Sequence, residues 1–176
     1  MRDNHPVWDV YDQLRTARLN EKYYGCRLQK YERINFWSEI VVAATSSSSA
    51  IAGLAFWHSQ AGNSAWKALL AAAAVITVAK PLLNLTKKIR AYEELLAGYR
   101  LLFHDLKDLR IDINQSQQYS KAHQVRFKKI IEKQRLLADK SPERTENKRV
   151  KADCQNAVLA ELPSSAFYIP ETDVVQ

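Results

Sequence analysis

Ionisable, hydroxyl and amide side chains within or beside apolar stretches are the residues of this sequence that could do chemistry. The candidates are Glu39, Thr45, Ser49, Thr77, Lys80 and Asn84. Polar groups in a hydrocarbon environment usually face a partner helix or water, so several copies of the chain could arrange them around a pore. The alternative is that the hydroxyls bond their own helix backbone and that Glu39 pairs with Lys80 as an inert bridge. Both hypotheses remain open at this point.

A second candidate site is a run of cations in the C-terminal third. Residues 121–151 hold eleven Lys or Arg against four acids, in a chain whose net charge is +7. Such an excess favours anionic partners, namely lipid headgroups, nucleotides or nucleic acid. A solvated helix face with a basic tail would give the same pattern. The residues proposed for this anionic-partner patch are Arg126, Lys128, Lys129, Lys133 and Arg135.

Motifs that carry catalysis are missing from the sequence. The four histidines are scattered without an HExxH pattern, and there is neither a GxxxxGK[ST] loop nor a GxGxxG. We therefore expect no enzyme activity, no catalytic residue, no metal site and no cofactor. Cys26 and Cys154 are far apart and match no metal-ligand spacing, which predicts a reducing compartment and no disulfide framework.

Two apolar segments would have to position the polar groups. The first, Ile40–Trp57, is 18 residues without a charge, which suffices for a hydrocarbon core of roughly 30 Å at about 1.5 Å per residue. The second, Ala65–Leu85, spans a membrane only if Lys67 and Lys80 snorkel or meet a partner. We predict transmembrane helices at about 37–57 and 65–85. A soluble bundle with the Ala-rich second helix as buried core is the alternative.

The flanks of these segments predict their orientation. The short connection between them, His58–Ser64, carries no Lys or Arg, whereas cations border the other side of both segments. The positive-inside rule then places both termini in the cytoplasm. Aromatic residues at the expected interfaces support the two spans: Trp37, Phe56, Trp57 and Trp66.

Heptad-like apolar stripes flank the predicted spans. One precedes the first span, at Val10, Leu14, Ala17, Tyr24, Leu28 and Tyr31. The other follows the second span, at Ile89, Tyr92, Leu96, Tyr99, Phe103, Leu106 and Ile113. These stripes predict an all-α fold. We expect a two-helix transmembrane hairpin that continues into long cytoplasmic helices, and these helices would pack antiparallel in the manner of a coiled coil. The polar run Asn114–Ser120 is a candidate interruption of the long second helix.

The same patterns predict the domain limits and the assembly. Residues 1–139 form the hairpin domain, and residues 140–176 form a polar C-terminal helix and tail, partly disordered. The first span carries a face of small residues that favours close helix packing and a homo-oligomer: Ala43, Ser46, Ala50 and Gly53.

The order and texture of these elements resemble a known family. A helix ending KYERINFWSEI leads to VVAATSSSSAIAGLAFW, and an Ala-rich segment closed by AKPLLNLTKKI leads to RAYEELLAGYRLLFHDL. Over about residues 5–135 this resembles the SLATT domain, the two-transmembrane effector module of bacterial conflict systems. The resemblance implies a multi-pass protein of the bacterial inner membrane that forms a pore in antiviral defence by abortive infection. It also implies a separate trigger: a nucleotidyltransferase, a SLOG protein or a reverse transcriptase.

Three functions follow from these observations. The leading hypothesis is a defence effector that oligomerises in the lipid and acts as a gated channel. The second is a non-conducting, membrane-anchored coiled-coil scaffold. The third is a soluble helical protein that binds nucleic acid through residues 121–151, and binding of nucleotide or nucleic acid stays an open expectation.

Overall fold

Helices make up almost all of the described chain. The computed structural model describes residues 5–46, 60–143 and 145–170, and within them it contains no strand, which confirms the all-α class. Only four glycines and five prolines interrupt the chain, so long helices can form. The helices are α1 (Val7–Ser46), α2 (Gln60–Leu83), α3 (Leu85–Ser116), α4 (Lys121–Ala138) and α5 (Lys148–Glu161), followed by a 3-10 turn at Ser164–Ala166.

Two short breaks separate the central helices. Asn84, with φ 48°, ends α2, and its carbonyl accepts the first backbone hydrogen bond of α3 from Lys88 at 3.0 Å. Asparagine is one of the few non-glycine residues that tolerate this left-handed conformation. The passage from α2 into the long helix α3 is therefore interrupted by one residue. The expected interruption further on is confirmed, because α3 ends at Ser116 and Ser120 caps α4.

The chain divides into two compact units. We call residues 1–27 and 91–176 the bundle unit, and residues 28–90 the apolar unit. The sequence-based boundary between residues 139 and 140 stays a prediction. The C-terminal segment packs back onto the first helix within the bundle unit.

Helices α1 and α3 form the core of the bundle unit. They run in opposite directions, since Tyr24 stacks on Tyr99 with ring centroids 5.4 Å apart and Arg18 lies 4.9 Å from the ring of Phe103. Much of each predicted stripe is buried. In α3, however, three further leucines are fully buried beside the stripe: Leu95, Leu102 and Leu109. The buried face of α3 is wider than a two-helix seam because α4 packs on it as well.

Helix α4 returns along α3 in the opposite direction. Lys133 pairs with Asp105 at 2.8 Å, and Arg126 pairs with Asp112 closer to the turn. Ile130 is buried on the same side of α4. Charges and apolar residues thus alternate along this contact, as expected for two partly exposed helices.

The C-terminal segment packs against α1. Cys154 and Val158 of α5 are buried, and Glu161 pairs with Arg18 and Lys22 at 2.8 and 3.0 Å. Beyond α5, the ring of Phe167 stacks on Tyr11 at 4.4 Å. The described part of the tail, through Pro170, is packed. Residues 171–176 lie outside the described residues, so the expectation of a partly disordered tail stays a prediction.

The apolar unit contains the last part of α1, all of α2 and the first turns of α3. Among the described residues, α2 is the one helix long and apolar enough to cross a membrane, over Gly62–Ala79 with a mean hydropathy of 1.3. It coincides with most of the second predicted span. Of the first predicted span, 37–57, the part through Ser46 belongs to α1, and the rest falls in residues 47–59, outside the described residues.

Candidate functional site

The threonine hydroxyls of the candidate pore set bond to their own helices. Thr45 donates to the carbonyl of Val41 at 3.0 Å, and Thr77 donates to the carbonyl of Ala73 at 2.8 Å. A hydroxyl so engaged has satisfied its proton within the helix and is tolerated in an apolar setting. This geometry matches the alternative considered for these residues. Ser49, the remaining hydroxyl of the set, lies outside the described residues.

The other members of that set have different environments. The Glu39 carboxylate is exposed and accepts a hydrogen bond from the Asn35 side chain at 3.0 Å, one turn earlier in α1. Asn84 has the backbone role described above and an exposed side chain. Lys80 belongs to α2, but its side chain lies outside the described residues, so its predicted pairing with Glu39 stays a prediction.

Large apolar side chains are exposed on both helices of the apolar unit. On α2, Val75 and Val78 are 68% and 66% exposed. On α1, Phe36 and Trp37 are similarly exposed, with Ile34 and Ile40 nearby in sequence. Only 11% of the apolar window in α2 is buried. An exposed apolar surface of this kind is typical of a helix that contacts lipid or another subunit. A core helix of a soluble protein would instead be covered by neighbouring helices of the same chain.

The predicted anionic-partner patch on α4 does not form a single cationic face. Two of its five members, Arg126 and Lys133, are neutralised by Asp112 and Asp105 of α3. Lys128 and Arg135 point instead into a groove, and Lys129 is exposed. The helical repeat explains why the patch divides in this way. Arg126 and Lys133 are seven residues apart and lie on one face of α4, and Lys128 and Arg135 are likewise seven apart and lie on another.

The groove lies in the bundle unit and has a volume of about 560 Å³. Its two cations, Lys128 and Arg135, are balanced by Asp9 and Glu132. Burial, and to a smaller degree the charge of Asp9, raises the pKa of the Tyr119 phenol at its edge. The remaining lining is Pro6, Gln124, Phe127 and Ile131. The groove is therefore lined by equal numbers of positive and negative side chains.

Glu143 is the centre of a polar cluster in the bundle unit. Its carboxylate accepts hydrogen bonds from the hydroxyls of Tyr23 and Tyr92, the latter at 2.5 Å, and pairs with Arg27 at 2.5 Å. Burial alone would raise the pKa of Glu143, but these three donors together hold it below its ordinary value. Burial and the hydrogen bond to Glu143 raise the pKa of Tyr23 to about 12.

The Glu143 cluster has a structural role. Its carboxylate accepts from three side chains, and Tyr23 stays protonated at neutral pH because its pKa is raised to about 12. The cluster connects α1 and α3 with the stretch before α5. Sequence analysis missed it because the partners of Glu143 lie 51 to 120 residues before it in the chain. Among the described residues no group of His, Cys, Asp and Glu is arranged to hold a metal ion.

Comparison with known proteins adds no relative. No protein-family model, no curated protein and no solved structure matches this chain. The resemblance to the SLATT domain therefore depends on the element order and residue texture of this chain alone.

Proposed function

We propose that this chain is a membrane effector anchored in the bacterial inner membrane by a two-helix hairpin. Helix α2 would form one span, and the apolar segment around residues 40–57 would form the other. Both termini would lie in the cytoplasm, where the helices of the bundle unit would serve as the coiled-coil-like part. The observation that carries the proposal is an apolar helix of membrane-spanning length of which only 11% is buried.

The free energy of apolar exposure supports this anchoring. Burying apolar surface is worth about 25 cal/mol per Å², so an uncovered helix of this composition is unfavourable in water. Lipid would cover Val75 and Val78 of α2, and the interfacial region would suit the exposed Trp37 of α1. A soluble bundle would need another chain over the same surface. This requirement makes the soluble nucleic-acid-binding alternative the weakest, as does the ion pairing of Arg126 and Lys133.

The effector role extends the anchoring through the SLATT resemblance. In this proposal several copies associate through the apolar unit, and a separate sensor changes their packing so that the membrane is permeabilised. The sensor would be a nucleotidyltransferase, a SLOG protein or a reverse transcriptase. Depolarisation would then stop growth of an infected cell.

A non-conducting scaffold is the second candidate function. The intrahelical hydrogen bonds of Thr45 and Thr77 favour it, because those hydroxyls are satisfied without a water-filled lumen. In this case the hairpin would be an anchor only, and the bundle unit would recruit cytoplasmic partners.

Membrane anchoring is tested by carbonate extraction of cells that express the full chain. The test variant is Val75→Asp/Val78→Asp, because an aspartate near the centre of a span costs about 2.5–3.5 kcal/mol of insertion free energy. The matched control is Leu101→Asp/Val125→Asp, at 68% and 56% exposed positions of the bundle unit. We expect wild type and control in the membrane pellet and the test variant in the wash. A wild-type chain that washes off would refute the anchoring.

Conduction is tested by a potential-sensitive dye in cells that overexpress the chain. An effector depolarises the membrane, whereas a scaffold leaves the potential unchanged at the same membrane content. The variant Thr45→Leu/Ser49→Leu then asks whether these hydroxyls contribute to the pore. Unchanged depolarisation in an inserted variant would remove both from the conducting path.

A further inference from the structure

Five cations of the apolar unit lack a carboxylate partner among the residues that the structure describes. They are Lys30 and Arg33 on α1 and Lys87, Lys88 and Arg90 on α3, and all but Lys88 are exposed. Within the described residues, no carboxylate forms an ion pair with any of them. Residues 28–90 contain seven Lys or Arg against two Glu, so acids are scarce throughout this unit.

The bundle unit differs from the apolar unit in its balance of charge. Residues 1–27 and 91–176 contain 19 Lys or Arg against 17 Asp or Glu. Some of its exposed cations have carboxylate partners, as Lys133 has Asp105, Lys140 has Glu94 and Lys151 has Glu146. Most of the excess positive charge of the chain, five of seven units, therefore lies in the apolar unit.

The five cations lie at one level of the apolar unit. The ammonium group of Lys88 is 5.8 Å from the ring centre of Tyr31, which brings the first turn of α3 beside this turn of α1. Lys30 and Arg33 are within two residues of Tyr31, and Lys87 and Arg90 are within two residues of Lys88. We call these five residues the cationic collar.

The collar adjoins the exposed apolar surface. Arg33 precedes Trp37 by four residues, which is about 6 Å along an α-helix, and Lys30 precedes it by seven residues, about 10 Å. The headgroup layer on each side of a bilayer is roughly 5–8 Å thick. If Trp37 marks the edge of the hydrocarbon, the collar lies at the depth of the lipid phosphates.

We propose that the cationic collar binds the phosphate groups of anionic phospholipids in the cytoplasmic leaflet. This inference rests on the proposed membrane anchoring and names the lipid class that the anchor selects. Lys and Arg donate charge-assisted hydrogen bonds to phosphate oxygens, and Arg can do so in a bidentate manner. Polybasic segments next to a membrane span are attracted to anionic leaflets for the same reason.

The test measures thermal stabilisation of the purified full chain in a neutral detergent. Phosphatidylglycerol and phosphatidylcholine are titrated separately, and the ratio of their half-saturating concentrations is the preference. The variant is Lys30→Gln/Arg33→Gln/Lys87→Gln/Arg90→Gln. The control removes the same charge from exposed positions of the bundle unit outside the predicted anionic-partner patch, as Lys107→Gln/Lys121→Gln/Lys148→Gln/Arg149→Gln.

We expect the wild type to prefer phosphatidylglycerol by at least tenfold, the collar variant to lose that preference, and the control to stay within twofold of wild type. High salt should weaken the wild-type preference, because exposed charges are screened. The single variant Arg33→Gln provides an intermediate loss should the quadruple variant fail to fold.

Three results would overturn the proposal. They are a wild type without preference, a control that loses as much as the variant, and equal stabilisation by inorganic phosphate at the same concentration. Carbonate extraction separates this failure from that of the anchor. A chain that resists extraction but shows no preference leaves the anchor intact and removes the collar, whereas a chain that washes off removes the anchor itself.

Discussion

Replacing Glu143 with alanine should loosen the attachment of α5 to the bundle unit. The Glu143 carboxylate joins Tyr23 and Arg27 of α1 to Tyr92 of α3, at the point where the chain turns toward α5. Without it, two buried hydroxyls lose their acceptor and the Arg27 guanidinium loses its counter-ion.

The expected loss of stability follows from the burial of the Glu143–Arg27 ion pair. The side chains of Glu143 and Arg27 are 9% and 13% exposed. Removing one partner of a buried ion pair costs about 3–5 kcal/mol, and the residual exposure of Arg27 favours the lower end. A local cost of about 3 kcal/mol corresponds to roughly a 100-fold change in an opening equilibrium.

Hydrogen exchange followed by mass spectrometry on the full chain in detergent measures that opening directly. Amides of α5 (Lys148–Glu161) should exchange roughly 100-fold faster in the variant when exchange proceeds through local opening. The matched control is Glu94→Ala, which breaks the exposed pair with Lys140, where the side chains are 59% and 52% exposed. Such surface pairs contribute about 0–1 kcal/mol, so the control should change exchange less than about fivefold.

The pH dependence gives an independent check of the same reasoning. The donors around Glu143 lower its pKa in the folded protein below the ordinary value of 4.5. Its stabilising contribution is therefore complete above pH 4.5 and is lost as the pH falls through the lowered value. Protection of α5 should decline in this acidic range in the wild type and not in Glu143→Ala. If the α5 amides of Glu143→Ala exchange within threefold of the wild-type rate, the assigned role of the Glu143 cluster is refuted.

Two further predictions concern packing in the bundle unit. Gly25→Ala should raise the free energy of unfolding by about 0.5–1 kcal/mol, because alanine favours helix and the nearest atom to the new Cβ, Leu96 Cδ1, is 3.6 Å away. Gly98→Ala should raise the free energy of unfolding less than Gly25→Ala does, or lower it, because the new Cβ would collide with the Leu137 side chain. An equal rise in thermal midpoint for both variants would mean that α3 and α4 are not this close. Phe167→Ala should cost about 3 kcal/mol of docking free energy and expose residues 162–170 to limited proteolysis, whereas Ser165→Ala, at an exposed position, should not. Resistance to protease in the Phe167 variant would contradict the stacking on Tyr11.

Local patterns in the sequence predicted the helical elements well. The apolar repeats before residue 31 and after residue 89 correspond to the buried sides of α1 and α3, and the polar run near Ser116 corresponds to the break before α4. The Ala-rich segment corresponds to α2. Each of these features depends on residues within a few turns of one another, so periodicity and turn chemistry suffice to recognise them.

The packing of the C-terminal segment was not predicted, although a signal was present. Cys154, Val158 and Leu162 recur at intervals of four and are all buried, which is the pattern of one helix face. The charged residues around them obscured it. The partner of that face is α1, more than a hundred residues earlier, and no local rule selects so distant a partner.

The sequence by itself determined that the chain is helical, that the long helix after residue 85 is interrupted near Ser116, and that one apolar helix carries few charges. Tertiary structure decided which charges remain available to a ligand. It paired Arg126 and Lys133 of the predicted patch with acids of α3 and gathered Tyr23, Arg27 and Tyr92 around Glu143. The collar cations, in contrast, have no carboxylate partner in the part of the chain that the structure describes. The physical reason is that helix formation follows local spacing, whereas the partner of a charge is set by helices that approach one another from distant parts of the chain.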